Sequence, residues 1–254
     1  MSWYIDKTII YMEQTKPVGI NVGVDKKVSV DSNHEHLVVT GHEKNPTVTN
    51  FEDMHVSFVF RRVKSKSRAN DGNPLIYALK NLQGYTITSK EISNLVRNFR
   101  IVLRKILSGI HYDIIVPMPS RHGISLILAK RVVRHQKGGM VVTNFLRKKT
   151  NGEVLADLTR IHSTKHHRDL VALRKKLEKD VAKHPFSMKD VTTQLRPMIH
   201  PLTINRVATS RINKVLLVDD LMSSGATLKS AYDVVKTVYP DAEIDALCLL
   251  SPVR

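Results

Sequence analysis

Cysteine is nearly absent from this chain: Cys248 is the single one among 254 residues. A disulfide framework and a cysteine-built zinc site are excluded on that count. Cys248 lies inside the apolar run Ile244–Leu250 and reads as a buried strand residue. Long hydrophobic runs are missing too. No stretch approaches the roughly 20 apolar residues of a membrane-spanning helix. The start, MSWYIDKTII, lacks the basic, apolar and small-residue order of a secretion signal. No membrane partner and a cytoplasmic location are the expectations. Aromatics make up only 6%, yet 42% of the residues are hydrophobic, which suffices for a packed core and argues against global disorder.

Acidic residues are scarce in the middle. Residues 51–213 hold 31 Lys and Arg against 11 Asp and Glu, whereas residues 1–50 (5 and 6) and 214–254 (4 and 6) are slightly acidic. A block of such charge attracts polyanions, DNA or RNA being the commonest. A phosphate-handling site that focuses a small anionic substrate is the other explanation. The densest run, RRVKSKSR at 61–68, offers Arg61, Arg62, Lys64, Lys66 and Arg68 as contacts to a nucleic-acid backbone. A sheet edge guarded by lysine would look the same.

Residues 1–60 alternate short Val, Ile, Tyr and Phe runs with Gly, Pro and Asn turns, which predicts an antiparallel β unit. His34, His36 and His42 fall there beside Glu35 and Glu43; loop-end polar residues are commoner than a metal site of that kind. Pro74–Asn81 predicts a short helix. Glu91–Leu107 predicts a long amphipathic one, with Ile92, Leu95, Val96, Phe99, Val102, Leu103 and Ile106 inward. Strands are expected at Tyr112–Val116, Met140–Leu146, Lys214–Val218 and Glu243–Leu250, alternating with helices, so a mostly parallel α/β sheet follows. The expected organisation is a β-rich extension at 1–70 and an α/β domain at 71–254, with a basic insertion at about 147–211. Within that insertion a helix is expected around Leu170–Lys183. His162, His166 and His167 form either an acid/base or metal cluster or, with Lys165 and Arg168, a cationic loop.

The stretch that carries chemistry is KVLLVDDLMSSGATLKS, Lys214–Ser230. An apolar strand delivers two carboxylates, Asp219 and Asp220, to its C-terminal end, where ligands of open α/β sheets bind. The small residues that follow let backbone N–H groups close round a phosphate, and the next helix adds the positive end of its dipole. Carboxylates aimed at a phosphate would repel it, so the acidic pair suits neighbouring sugar hydroxyls. The recipe is one for a sugar phosphate.

VLLVDDLMSSGATL resembles the phosphoribosyl-pyrophosphate (PRPP) motif of type I phosphoribosyltransferases. The resemblance implies that Asp219 and Asp220 take the ribose 2′ and 3′ hydroxyls. It implies that Met222, Ser223, Ser224, Gly225, Ala226 and Thr227 wrap the 5′-phosphate. The turn PMPSRHG after Val116 would hold pyrophosphate through Ser120, Arg121 and His122. Mg²⁺ would enter on the substrate, with Asp219 and Asp220 as its only candidate protein ligands. DIIVPMPSRHGISLILAKRV and PLIYALKN are similar to the ComF-like, competence-protein branch of the family. Cysteines that often form a zinc ribbon there are missing here, and Arg147–Arg211 follows the branch only through Arg147, Thr150 and Arg160. Three functions stay open at this point. One is a transferase moving phosphoribosyl from PRPP to a nitrogenous acceptor. Another is a ComF-like nucleic-acid-binding protein with a regulatory fold, and the third an effector of a retron-type phage-defence system. A homo-oligomer is compatible with each.

Overall fold

The computed structural model describes residues 17–63, 74–161, 163–181, 185–206 and 211–253. Five strands come first: β1 (Gly19–Val22), β2 (Lys27–Asp31), β3 (Val38–Val39), β4 (Thr47–Phe51) and β5 (Met54–Arg62). Then follow α1 (Pro74–Leu79), β6 (Thr86–Ile87), α2 (Ser89–Ile106), β7 (Ile114–Pro117), α3 (Ile124–Gln136), β8 (Met140–Val141) and β9 (Leu146–Lys148). The chain ends with α4 (Asn151–Leu158), α5 (His167–Glu178), β10 (Leu202–Ile204), β11 (Lys214–Leu221), α6 (Ala226–Val238) and β12 (Glu243–Leu250).

The central sheet runs in the order β3-β5-β12-β11-β7-β8, with β4 also on β5. β5, β12, β11, β7 and β8 are mutually parallel; β3 and β4 run antiparallel to β5. This is the expected mostly parallel α/β sheet. Alternation along β11 divides the core. Val215 and Leu217 join Leu228, Ala231 and Val235 of α6 in one apolar cluster. Leu216 and Val218 join Leu75 and Ile76 of α1, Val102 of α2 and Leu128 and Val132 of α3 in another. Both faces are therefore covered by helices, which explains why the strand reads as an unbroken Val/Leu run.

Two segments pair otherwise than the sequence predicts. The N-terminal β unit does not close on itself: β1 and β2 pair with β6 in a small sheet, while β4 and β5 extend the central one. Phe58, Val59 and Phe60 of β5 are all buried, the signature of a strand packed on both faces. The run Met140–Leu146 also divides. Met140 and Val141 pair with β7, a turn at Thr143–Asn144 follows, and Leu146 starts β9, which pairs antiparallel with β10. Phe145, fully buried at that corner, sinks into the cluster on the α6 face.

The two-stranded ribbon of β9 and β10 carries the basic insertion, which has its own core. Val154 and Leu158 of α4 pack there on Leu170, Leu173 and Leu177 of α5 and on Phe186 and Leu195. Thr150 and Glu153 form a capping box at the start of α4. Arg147 of β9 holds the same Glu153 in a bidentate pair. That pair and the Thr150 N–H draw the Glu153 carboxyl down to about 2. α2 is largely as predicted, although Ile92 is exposed and Asn98 is buried, its amide donating to Pro17 O at 2.8 Å.

Candidate functional site

Two turns meet at the carboxyl edge of the sheet because β7 and β11 are neighbours, with Pro117 opposite Val218. Met118 N donates to Val218 O at 2.8 Å and locks the two strand ends together. From β7 the chain crosses by α3 to β8 on one side, and from β11 by α6 to β12 on the other. These helices lie on opposite faces. The crevice between β7 and β11 is thus a topological switch point, where open α/β sheets bind ligands.

Asp219 and Asp220 sit in that crevice. They line a cavity of about 190 Å³ with Lys80, Met118, Pro119, Ser120, Lys148, Phe186, Met188, Pro201, Leu202 and Thr227. A smaller adjoining cavity of about 70 Å³ is bounded by Asp219 and Leu221–Leu228. Asp219 and Thr227 line both, so the acidic pair and the phosphate-loop candidates border two cavities with a shared wall. In the loop, Gly225 precedes α6 at φ 79°, and no side chain caps the helix. The first N–H groups of α6 thus have no side-chain cap, the arrangement in which helix starts receive anions. A Cβ on Gly225 would run into the Phe51 ring. Met222 N donates to Leu250 O at 3.3 Å, Ser223 and Ser224 are exposed, and Ala226 is buried.

The two carboxylates differ. Asp219 Oδ1 accepts from Asp220 N at 2.8 Å and Ser125 Oγ at 3.5 Å. Burial first, and the Asp220 charge second, push the Asp219 carboxyl up to about 7, against the pull of the Asp220 N–H, Lys80 and Ser125. Asp220 continues the Leu216/Val218 side of β11, on which α1 packs, and its Oδ2 lies 2.5 Å from Lys80 Nζ. Cys248, opposite Asp219 in the β11/β12 register, is buried as expected. Burial and the two nearby carboxylates hold its thiol well above the ordinary value.

The pyrophosphate-turn candidates are brought in unequally. Ser120 lines the cavity, and its Oγ accepts from His122 N at 3.3 Å. Arg121 lies close enough to Lys148 to repel its charge. The imidazole of His122 does not line the cavity. Lys148, from β9, has a pKa below the ordinary lysine value: desolvation by the cavity wall dominates, Arg121 and Lys80 add to it, and Asp219 opposes. Sequence reasoning missed Lys80 and Lys148, and with them Phe186 and Met188, which the insertion contributes to the cavity wall.

The polyanion candidates fare differently. Lys64, Lys66 and Arg68 lie outside the described residues. Arg61 is half-buried. Arg62 leaves the group altogether, since it is buried at 6% exposure. Its N–H and Nε donate to Ser251 Oγ and Ser251 O, and Nη2 donates to Met222 O. It thereby holds the start of the 222–227 loop. His162 lies outside the described residues, while His166 and His167 open α5. His34 and His36 stack with centroids 3.9 Å apart, and His34 faces Asp31 at 3.3 Å. Among the described residues no group of three or more His, Cys, Asp or Glu could hold a metal, and no helix is long and apolar enough to cross a membrane.

The family model described as a phosphoribosyl transferase domain matches residues 126–252. The match takes in the acidic pair and the 222–227 loop and leaves Lys80 and the turn at Ser120 outside. A solved structure, TT1426 from Thermus thermophilus, is similar at 18% identity and a TM-score of 0.30, over 59% of this chain and 80% of that one. No curated protein matches.

Proposed function

Because this chain belongs to the phosphoribosyltransferase family, whose domain is one of phosphoribosyl transfer in general, we propose that it binds PRPP and passes the phosphoribosyl group to a nitrogenous acceptor, releasing pyrophosphate. The observation that carries this reading is the pair of cavities sharing Asp219 and Thr227, one lined by the acidic pair and the other by the uncapped start of α6. The 5′-phosphate sits on the N–H groups after Gly225, which need no reorganisation to receive it. One turn away, Asp219 and Asp220 accept the hydrogen bonds of the ribose hydroxyls and fix the ring. The diphosphate then points toward Ser120 and Arg121.

Transfer breaks the bond from C1 to the diphosphate oxygen and forms one from C1 to the acceptor nitrogen. The ring carries positive charge in between, and the acceptor nitrogen loses its proton as the new bond completes. The acceptor is the nucleophile, so the protein's work is to position both ends and to stabilise the leaving charge. Two carboxylates beside a space for phosphate oxygens fit a hard Mg²⁺ ion ligated mainly by its substrate. When bound, such an ion neutralises charge on the diphosphate. Met118, Phe186, Met188 and Pro201 make the remaining wall apolar, a surface for the acceptor's face.

Calorimetric titration with PRPP, with and without Mg²⁺, tests the reading on protein freed of nucleic acid. Mg²⁺-dependent binding is expected. In Asp219→Asn/Asp220→Asn it weakens by about 100-fold or more, since each charge-assisted hydrogen bond is worth ~1.5–3 kcal/mol. A folded wild-type protein that does not bind PRPP would overturn it.

A further inference from the structure

Lys80 stands at the C-terminal end of α1, far from the acidic pair in sequence, yet its Nζ is 2.5 Å from Asp220 Oδ2. Both side chains are enclosed, at 15% and 10% exposure. Stability is a poor explanation for such a pair, because desolvating two charges offsets most of their attraction. The backbone holds the lysine there all the same. Lys80 N donates to Ile76 O at 3.0 Å. The chain then turns back through left-handed conformations at Asn81 (φ 51°), Gln83 (φ 54°) and Gly84 (φ 78°). Lys80, Lys148 and Ser120 line one cavity with the acidic pair, and Arg121 acts on Lys148 from close by. Two lysines thus share one cavity with the two carboxylates, and Arg121 adds a third positive charge near Lys148.

We propose that Lys80 is a positioning residue that changes partner during binding: it pairs with Asp220 in the empty site and turns to the donor's diphosphate once the ribose hydroxyls occupy Asp220. The proposal rests on the PRPP reading above. Its physical basis is competition for one carboxylate. A ribose hydroxyl donating to Asp220 takes lone pairs that the ammonium uses. The four-carbon stem of lysine lets the ammonium swing to a new acceptor without moving α1. A diphosphate brought in beside Ser120 supplies that acceptor and relieves the mutual repulsion of Lys80, Lys148 and Arg121. The ammonium is thus divided between Asp220 and a diphosphate, and a ribose on Asp220 tips it toward the diphosphate.

The test uses three ligands with Mg²⁺ on wild type and Lys80→Met: PRPP, pyrophosphate and ribose 5-phosphate. In the variant, PRPP and pyrophosphate are expected to bind at least ~10-fold more weakly. Ribose 5-phosphate, which has no diphosphate, should stay within about 3-fold, and Lys80→Arg should recover part of the loss. Equal weakening of all three ligands would make Lys80 a mere prop for Asp220, and no weakening would leave it without a role; either overturns the proposal while the PRPP reading stands. Wild type that binds none of the three would sink the PRPP reading itself. If Lys80→Met does not fold, acylation of Lys80 in the wild type, followed by mass spectrometry, decides. Ribose 5-phosphate should speed modification and pyrophosphate should slow it. Rates indifferent to both ligands overturn the proposal.

Discussion

Gly225→Ala combines two penalties at one atom. Residue 225 sits at φ 79°, where a Cβ costs ~1–2 kcal/mol. The added methyl would also stand 2.8 Å from both Cε atoms of Phe51 and closer still to its Cζ. Phe51 ends β4 and is packed against the core on the α6 face, so its ring cannot step aside freely. Forcing it to do so costs a further ~1–3 kcal/mol. The sum is about 2–5 kcal/mol, or about 4–20 °C in Tm for a chain of this size. Denaturant and thermal unfolding followed by circular dichroism would read it. The decisive arm is Phe51→Ala, alone and combined with Gly225→Ala. Removing the ring abolishes the clash but leaves the backbone strain, so the double variant should lose less than the two single losses added together, by ~1–3 kcal/mol. A single Gly225→Ala variant as stable as wild type, or a strictly additive double, would refute the close seating of the Gly225 turn on β4.

Two further outcomes follow from the site. The Asp219 carboxyl titrates near 7 when folded against an ordinary 3.8, so the folded chain holds this proton over a range where the unfolded chain has released it. Its contribution to stability is greatest below about pH 4 and declines up to about pH 7. Asp219→Asn should therefore gain on wild type as pH rises through that window, and a difference in denaturation midpoint that is flat from pH 4 to 8 would contradict it. Arg62→Met leaves Ser251 O and Met222 O without their guanidinium donors. It should cost about 2–4 kcal/mol and raise amide exchange across residues 222–225; unchanged exchange there would show that the loop stands without its prop.

What was legible in the sequence is what local pattern dictates. The Val/Leu run of β11, the acidic pair that ends it and the apolar spacing of α6 each announce themselves within a few residues. The site assembles them where two such units adjoin. Lys80 escaped notice because its meaning depends on α1 docking over β11, and nothing local distinguishes a lysine that ends a short apolar helix from a solvated one. The same holds for Arg62: a run of basic residues reads as surface, whereas the last strand turn of β5 carries this one under the phosphate loop. The mostly apolar run Met140–Leu146 divides for a different reason. Its apolar residues serve two cores in succession, and only the Thr143–Asn144 pair marked the corner between them. The consecutive apolar residues Phe58, Val59 and Phe60 point to the central sheet, since three in a row are wasteful on an edge.

The ribbon of β9 and β10 has a consequence for how such a chain diversifies. Lys148 and Leu202 face each other across it, so everything between them leaves the sheet and returns at adjacent points. For the rest of the chain that segment amounts to a closed loop, whose ends the sheet already holds together. Its helices can lengthen, shrink or be exchanged for another folded unit with no strand of the sheet re-paired. Phe186 and Met188 would change with it, while Asp219, Asp220 and the turn at Gly225 would not. The acidic pair and the wall that faces it from the insertion are thus inherited on separate pieces of chain, and that wall can change as a cassette.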